Sequence, residues 1–150
     1  MTQRFLLALG LALAAALVAW AMRRRQEAEA PTQPRYVAPA QLDRADFARP
    51  DAPWLVALFS SASCTTCADM RGKVAVLASD AVVVDDVDVG QRGDVHRRYA
   101  IDAVPIVCIA DGAGVVVASF VGPCSATDLW AAVAEVREPG SSPEPELGRP

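Results

Sequence analysis

The chain has one histidine, His96, in 150 residues, and one lysine, Lys73, against thirteen arginines. The lysine deficit reflects coding bias and carries no chemistry. Positive charge is short overall: fourteen Lys and Arg face eighteen Asp and Glu, for a net charge of -4. Between residues 41 and 138 the imbalance deepens to eight bases against fourteen acids. No surface that tracks nucleic-acid phosphates is built from such a balance, and anionic lipid is repelled as well. Four cysteines are too few for a scaffold stapled by disulfides. Cys64 and Cys67 form a close pair, but a structural zinc site calls for a second one. The other candidates are His96 and the isolated Cys108 and Cys124. Internal repeats are absent.

What is present divides into segments. The length suits one domain with appendages. Residues 5–22, FLLALGLALAAALVAWAM, carry no charge. As a helix this run reaches about 27 Å, just short of the ~30 Å hydrocarbon core. It reads as an uncleaved anchor rather than a signal peptide, because a cut after Ala21 would leave Arg23, Arg24 and Arg25 at the start of the mature chain, a poor cleavage context. Residues 1–25 therefore make a transmembrane anchor with a basic flank. The positive-inside rule sets those arginines, and the domain after them, on the cytoplasmic side, with an extracytoplasmic domain as the alternative. Residues 26–40, with Pro31, Pro34 and Pro39, read as a tether, and residues 139–150, with four prolines, as a disordered tail.

The domain itself spans 41–138. WLVALFS (54–60) and AVVVDDVDV (81–89) read as buried strands, followed by PIVCIA (105–110) and VVVASFV (115–121). The last two are joined by the hairpin turn DGAG. Helices are predicted over 64–78, with Met70, Val74 and Leu77 on one face, and over 91–99. A last helix follows a Ser125 cap, with Leu129, Val133 and Val136 as its buried stripe. A short helix is expected within 41–49. The pattern predicts an α/β domain: a central mixed sheet, parallel in its early βαβ part and antiparallel at its end, flanked by helices.

The cysteine pair admits three readings: a redox dithiol, half of a zinc site, or core packing. Its place between a buried strand and a helix favours the first. A helix start carries unpaired N–H groups and about half a positive charge, which stabilise a thiolate. Cys64 would then attack a disulfide, and Cys67, one turn inward, would resolve the mixed disulfide.

With FSSASCTTC, YAIDAVP and VVVASFVG in place, the chain resembles the thioredoxin family over roughly residues 42–137, in particular thioredoxin-like domains tethered by an N-terminal helix. The resemblance implies a cis Val104–Pro105 bond, a Val104 backbone that pairs with extended substrate, and Gly122 beside the active site. Thr65 and Thr66, between the cysteines, join Val104, Pro105 and Gly122 as expected substrate-contacting positions, with hydroxyls able to reach the Cys64 sulfur. It implies catalysis by the dithiol alone, without cofactor or metal. Expected partners are protein thiols and disulfides, a reductase or membrane redox partner, and the bilayer through residues 5–22.

Departures from the family pattern are specific. The buried aspartate often found six positions before the first cysteine is Leu58 here, and the usual preceding tryptophan is Ser63. Asp85, Asp86 and Asp88 lie on the neighbouring strand, where they read as a strand-end acidic cluster. Cys108 reads as a core residue. Cys124 should lie on a loop near Cys64, inert or able to exchange with the pair, the inert case being favoured. Two functions compete. One is a membrane-tethered thiol–disulfide oxidoreductase, reducing protein disulfides in the cytoplasm or, facing outward, serving oxidation, isomerisation or apocytochrome reduction. The other is a non-catalytic interaction or assembly module with vestigial cysteines.

Overall fold

The computed structural model describes residues 36–142 and Gly148. The predicted anchor and its arginine flank lie outside the described residues, as do tether residues 26–35 and tail residues 143–147, 149 and 150. Among the described residues no helix is long and apolar enough to cross a membrane.

Four strands form one sheet: β1 (Trp54–Ser60), β2 (Val82–Asp88), β3 (Ile106–Asp111) and β4 (Val116–Val121), in the order β2-β1-β3-β4. β1 runs parallel to β2 and antiparallel to β3, and β4 returns antiparallel along β3. Three helices accompany the sheet: α1 (Thr65–Ala75), α2 (Gly93–Arg98) and α3 (Ala126–Arg137). β1 is central, which explains its continuous apolar run: both faces are covered. Leu55, Ala57 and Phe59 point into one core with Leu42, Phe47 and Val95. Val56 and Leu58 point into a second core with Met70 and Val74 of α1 and Leu129 and Val133 of α3. Each fully buried side chain of this size contributes roughly 1.5–3 kcal/mol.

Element ends shift from the sequence expectation for local reasons. α1 stops at Ala75, because the chain tightens into a turn in which Leu77 N–H donates to the Val74 carbonyl (3.0 Å). Leu77 still packs on the second core, from beyond the helix. α2 spans Gly93–Arg98, shorter than the predicted 91–99, with no side-chain cap at Arg92 and with the chain turning at its C-cap Tyr99. The first helix reduces to a single 3-10 turn, Arg44–Asp46, capped by Asp43, after which Phe47 turns extended to enter the first core. That turn is tied to α2 through Asp46, which accepts from Arg98 Nη1 (2.6 Å) and Tyr99 Oη (2.5 Å). Burial pushes the Asp46 carboxyl up, but the bonds from Tyr99 and Arg98 outweigh it and hold it below the usual carboxylate range. Residues 139–142, assigned from sequence to the tail, fold back on α3: Gly140 and Ser142 N–H both donate to the Glu135 carboxylate at 3.0 Å.

The DGAG turn needs its second glycine. Gly114 has φ +81°, and a Cβ there would lie 1.9 Å from the Leu42 carbonyl oxygen. Leu42 N–H donates to Gly114 O at 2.8 Å, so the strap before the first core rests directly on this backbone.

Candidate active site

β1 ends at Ser60, and residues 61–63 turn the chain into α1. Cys64 is the N-cap of that helix, extended at φ -91°, ψ 111°. Its sulfur accepts from the Cys67 N–H at 3.1 Å, so a cysteine sulfur stands where serine or aspartate commonly caps. Thr66 Oγ1 lies 3.2 Å from the same sulfur. Cys64 and Cys67 are joined as a disulfide with their Cα atoms 5.2 Å apart. The two sulfurs differ in access. Cys64 is half-buried, whereas Cys67 is fully buried behind the first helical turn. The arrangement can interconvert dithiol and disulfide, with the outer sulfur available to a macromolecular partner.

The other predicted site residues gather at the same end of the sheet. Ile106 pairs with Phe59 on one side and Val121 on the other, which carries Pro105 and Gly122 to the edge where β1 gives way to the cysteine turn. The Val104–Pro105 peptide is cis. Gly122 N–H donates to Pro105 O (2.8 Å), and its φ of +89° is what requires glycine, since a Cβ would meet no atom. Thr65 and Thr66 are exposed. A hollow of about 270 Å³ opens between Ser61, Val89, Ile101 and Val104, joining the cysteine turn to the proline loop.

The two remaining cysteines are set apart by burial. Cys108 sits in β3 opposite Ala57, and burial pushes its thiol up to about 12. Cys124 follows β4 and is half-buried; burial raises its thiol, with Lys73 acting against the rise. Lys73 Nζ donates to the Cys124 carbonyl at 2.8 Å, fixing this loop to α1. His96, the histidine weighed for zinc, is buried, with Nε2 2.7 Å from the Val87 carbonyl and its ring against Phe59.

Leu58 is fully buried in the second core, so the position before the cysteines is apolar. The aspartates of β2 do not form one cluster. Asp85 faces the first core's side and pairs with Arg92 (2.9 Å). Asp86 and Asp88 share the opposite face with Val82 and Val84 and meet Arg71 of α1. Sequence reasoning missed Arg71 and Ser60. The signal existed in period alone: Ser60 is in phase with Val56 and Leu58, and Arg71 is four residues beyond Cys67.

No family model matches the chain, and no curated protein does either. Solved structures do. A mutant thioredoxin from Halobacterium salinarum superposes with a TM-score of 0.51 at 22% identity, covering 57% of this chain and 75% of that one. Fasciola hepatica thioredoxin gives 0.50 at 25% identity, over 57% and 83%. The germline-specific thioredoxin Deadhead from Drosophila melanogaster gives 0.51 at 26% identity, over 58% and 84%. The described chain thus has a thioredoxin-like α/β fold with a mixed four-stranded sheet, and its Cys64–Cys67 pair at a helix start is, at that coarse level, the arrangement of a thiol–disulfide oxidoreductase.

Proposed function

We propose that this protein is a membrane-tethered thiol–disulfide oxidoreductase that reduces protein disulfides. The observation that supports it most is the contrast between an accessible Cys64 at the helix N-cap and a fully buried Cys67 in the same disulfide. In the reduced form Cys64 is the thiolate, favoured by the helix N-terminus. It attacks one sulfur of a substrate disulfide, and the other substrate sulfur leaves as a thiolate. Cys67 then loses its proton and attacks Cys64 Sγ. The mixed disulfide breaks, the second substrate thiolate departs, and the Cys64–Cys67 bond carries the two electrons' worth of oxidation. A thiol donor, soluble or membrane-borne, restores the dithiol. Val104, Pro105 and Gly122 form the rim on which an extended substrate segment lies, and Thr65 and Thr66 flank the attacking sulfur.

The protein is expected to reduce insulin with a thiol donor, and Cys64→Ser to fall to the uncatalysed rate. Equal rates for the two proteins would leave the non-catalytic interaction module as the reading, which the lack of an acid at Leu58 and of a tryptophan at Ser63 supports in part and the cysteine pair at the helix start speaks against.

The tether and the cytoplasmic placement rest on the sequence of residues 5–25. A cytoplasmic reporter fused after residue 138 should be active and an alkaline-phosphatase fusion at the same point inactive. The reverse pattern would move the chemistry toward disulfide formation or cytochrome maturation.

A further inference from the structure

A polar network lies on the α1 face of the sheet where that face stops being apolar. Along β1 the residues facing α1 run Val56, Leu58, Ser60; along β2 they run Val82, Val84, Asp86, Asp88. The last positions of both strands are thus hydroxyl or carboxylate, under the first turns of α1. Ser60 is fully buried, and its Oγ–H donates to Asp86 Oδ1 at 2.5 Å. Arg71 Nε donates to Asp86 Oδ2 at 2.6 Å, while its Nη2 donates to Ser60 Oγ at 2.9 Å and to Asp88 Oδ2 at 3.3 Å. Asp88 Oδ1 accepts the Gly90 N–H at 2.8 Å. Two carboxylates and one guanidinium are therefore joined in one network, partly exposed at Arg71 and Asp86 and more enclosed at Asp88.

The network adjoins the dithiol. Arg71 is one helical turn beyond Cys67 on the same face of α1. Ser60 is the last residue of β1 before the cysteine turn. Cys67 is fully buried, yet it belongs to neither apolar core. The other charges near this end of α1 are satisfied elsewhere: Asp69 and Lys73 pair with each other at 2.6 Å, and Lys73 turns toward Cys124. From the sheet, the neighbours of α1 beyond Ser60, Asp86 and Asp88 are apolar.

We propose that Arg71, braced by Ser60, Asp86 and Asp88, is a positioning residue that tunes the reduction potential of the Cys64–Cys67 pair through its charge. The proposal rests on the oxidoreductase reading above. When the disulfide takes up two electrons and one proton, one sulfur becomes a thiol and the other a thiolate; with glutathione as donor, two GSH become GSSG and one proton is released. The new negative charge, on Cys64, lies two helical turns from Arg71 along α1, about 10 Å by helical rise, and so within range of the network's charges. Arg71 favours it and the two aspartates oppose it, while the neutral disulfide is indifferent to both. Stabilising the reduced form raises the potential.

The test is redox titration of the full-length chain in detergent against glutathione buffers, with the Cys64–Cys67 peptide followed by alkylation and mass spectrometry. The wild type should show one reversible two-electron transition. Its absence would overturn the oxidoreductase reading and this proposal with it. Given that transition, Asp86→Asn with Asp88→Asn should favour the dithiol by three- to tenfold, an upward shift of roughly 15–30 mV. Arg71→Met should favour the disulfide by a similar factor. Ser60→Ala, which removes two hydrogen bonds but no charge, should stay within twofold, and Arg71→Lys should restore most of the wild-type value. Opposite signs for the acid and arginine variants are the signature, because mere loosening of the turn would move both the same way. Should Arg71→Met fail to fold, the double asparagine variant is judged against Ser60→Ala, which loosens the same network without changing its charge: an upward shift of threefold or more in the first with less than twofold in the second upholds the proposal. Same-sign shifts, no shift, or a Ser60→Ala effect as large as the charge variants would overturn the proposal and leave the oxidoreductase reading standing.

Discussion

Cys67→Ser is expected to accumulate protein partners as stable mixed disulfides, and Cys64→Ser to accumulate none. The asymmetry comes from burial. Cys64 caps α1 with its sulfur on the half-exposed side, while Cys67 is closed off behind the first turn. A substrate disulfide can therefore reach only Cys64. Once attached, it is released by the internal attack of Cys67, and a serine there leaves the attachment intact. The contrast should be close to all-or-none on non-reducing gels. Cys108 will not blur it, since burial holds that thiol far from the reactive range. Cys124 is less enclosed, so the measurement is best repeated in a Cys124→Ser background. Equal trapping by both variants would mean that the roles of attacking and resolving sulfur are not divided as the burial implies.

Phe59→Ala is expected to cost about 3–5 kcal/mol of folding stability. Phe59 is fully buried in β1, and its ring meets Phe47 at 6.4 Å, Tyr99 at 6.1 Å and His96 at 5.4 Å between centroids. Those partners come from the N-terminal strap, the end of α2 and α2 itself. One ring thus holds two segments onto the sheet, the strap and α2 with its C-cap, and edge-to-face contacts add to the area that it buries. In a domain of about a hundred residues each kcal/mol moves the melting midpoint by roughly 4–8 °C. The midpoint should fall steeply, with the redox chemistry of any remaining folded protein intact, because the dithiol is built on the opposite face. Denaturant unfolding of the reduced and oxidised forms would check both statements. A loss below about 1 kcal/mol would show that this aromatic group is not a core.

Much of the molecule was legible in the chain. Apolar runs of strand length marked β1 and β3, continuous because both faces of these inner strands are covered, and valine-rich stretches marked the outer strands β2 and β4. The DGAG turn, the Ser125 cap and the stripe of Leu129 and Val133 were readable because turns and caps depend on adjacent residues. The site was half legible for the same reason. Two cysteines at a strand-to-helix junction, and a Val-Pro before a strand, are local signals. Period could even say that Ser60 shares a face with Leu58, or that Asp85 and Asp86 point apart.

What period could not say is which layer covers each face. Only the packed structure puts α1 over Ser60, Asp86 and Asp88 and α2 on the side of Asp85, thereby splitting a supposed acidic cluster into two groups, Asp86 and Asp88 with Arg71 and Asp85 with Arg92. It also decides that β3 runs antiparallel to β1, that α1 ends at Ala75 with Leu77 packing from beyond it, and that Cys67 is sealed while Cys64 is not. Each of these depends on contacts between residues far apart in sequence. The free energy of those contacts comes from surfaces that meet only when the chain has closed, so a local pattern supplies the candidates and tertiary packing selects among them.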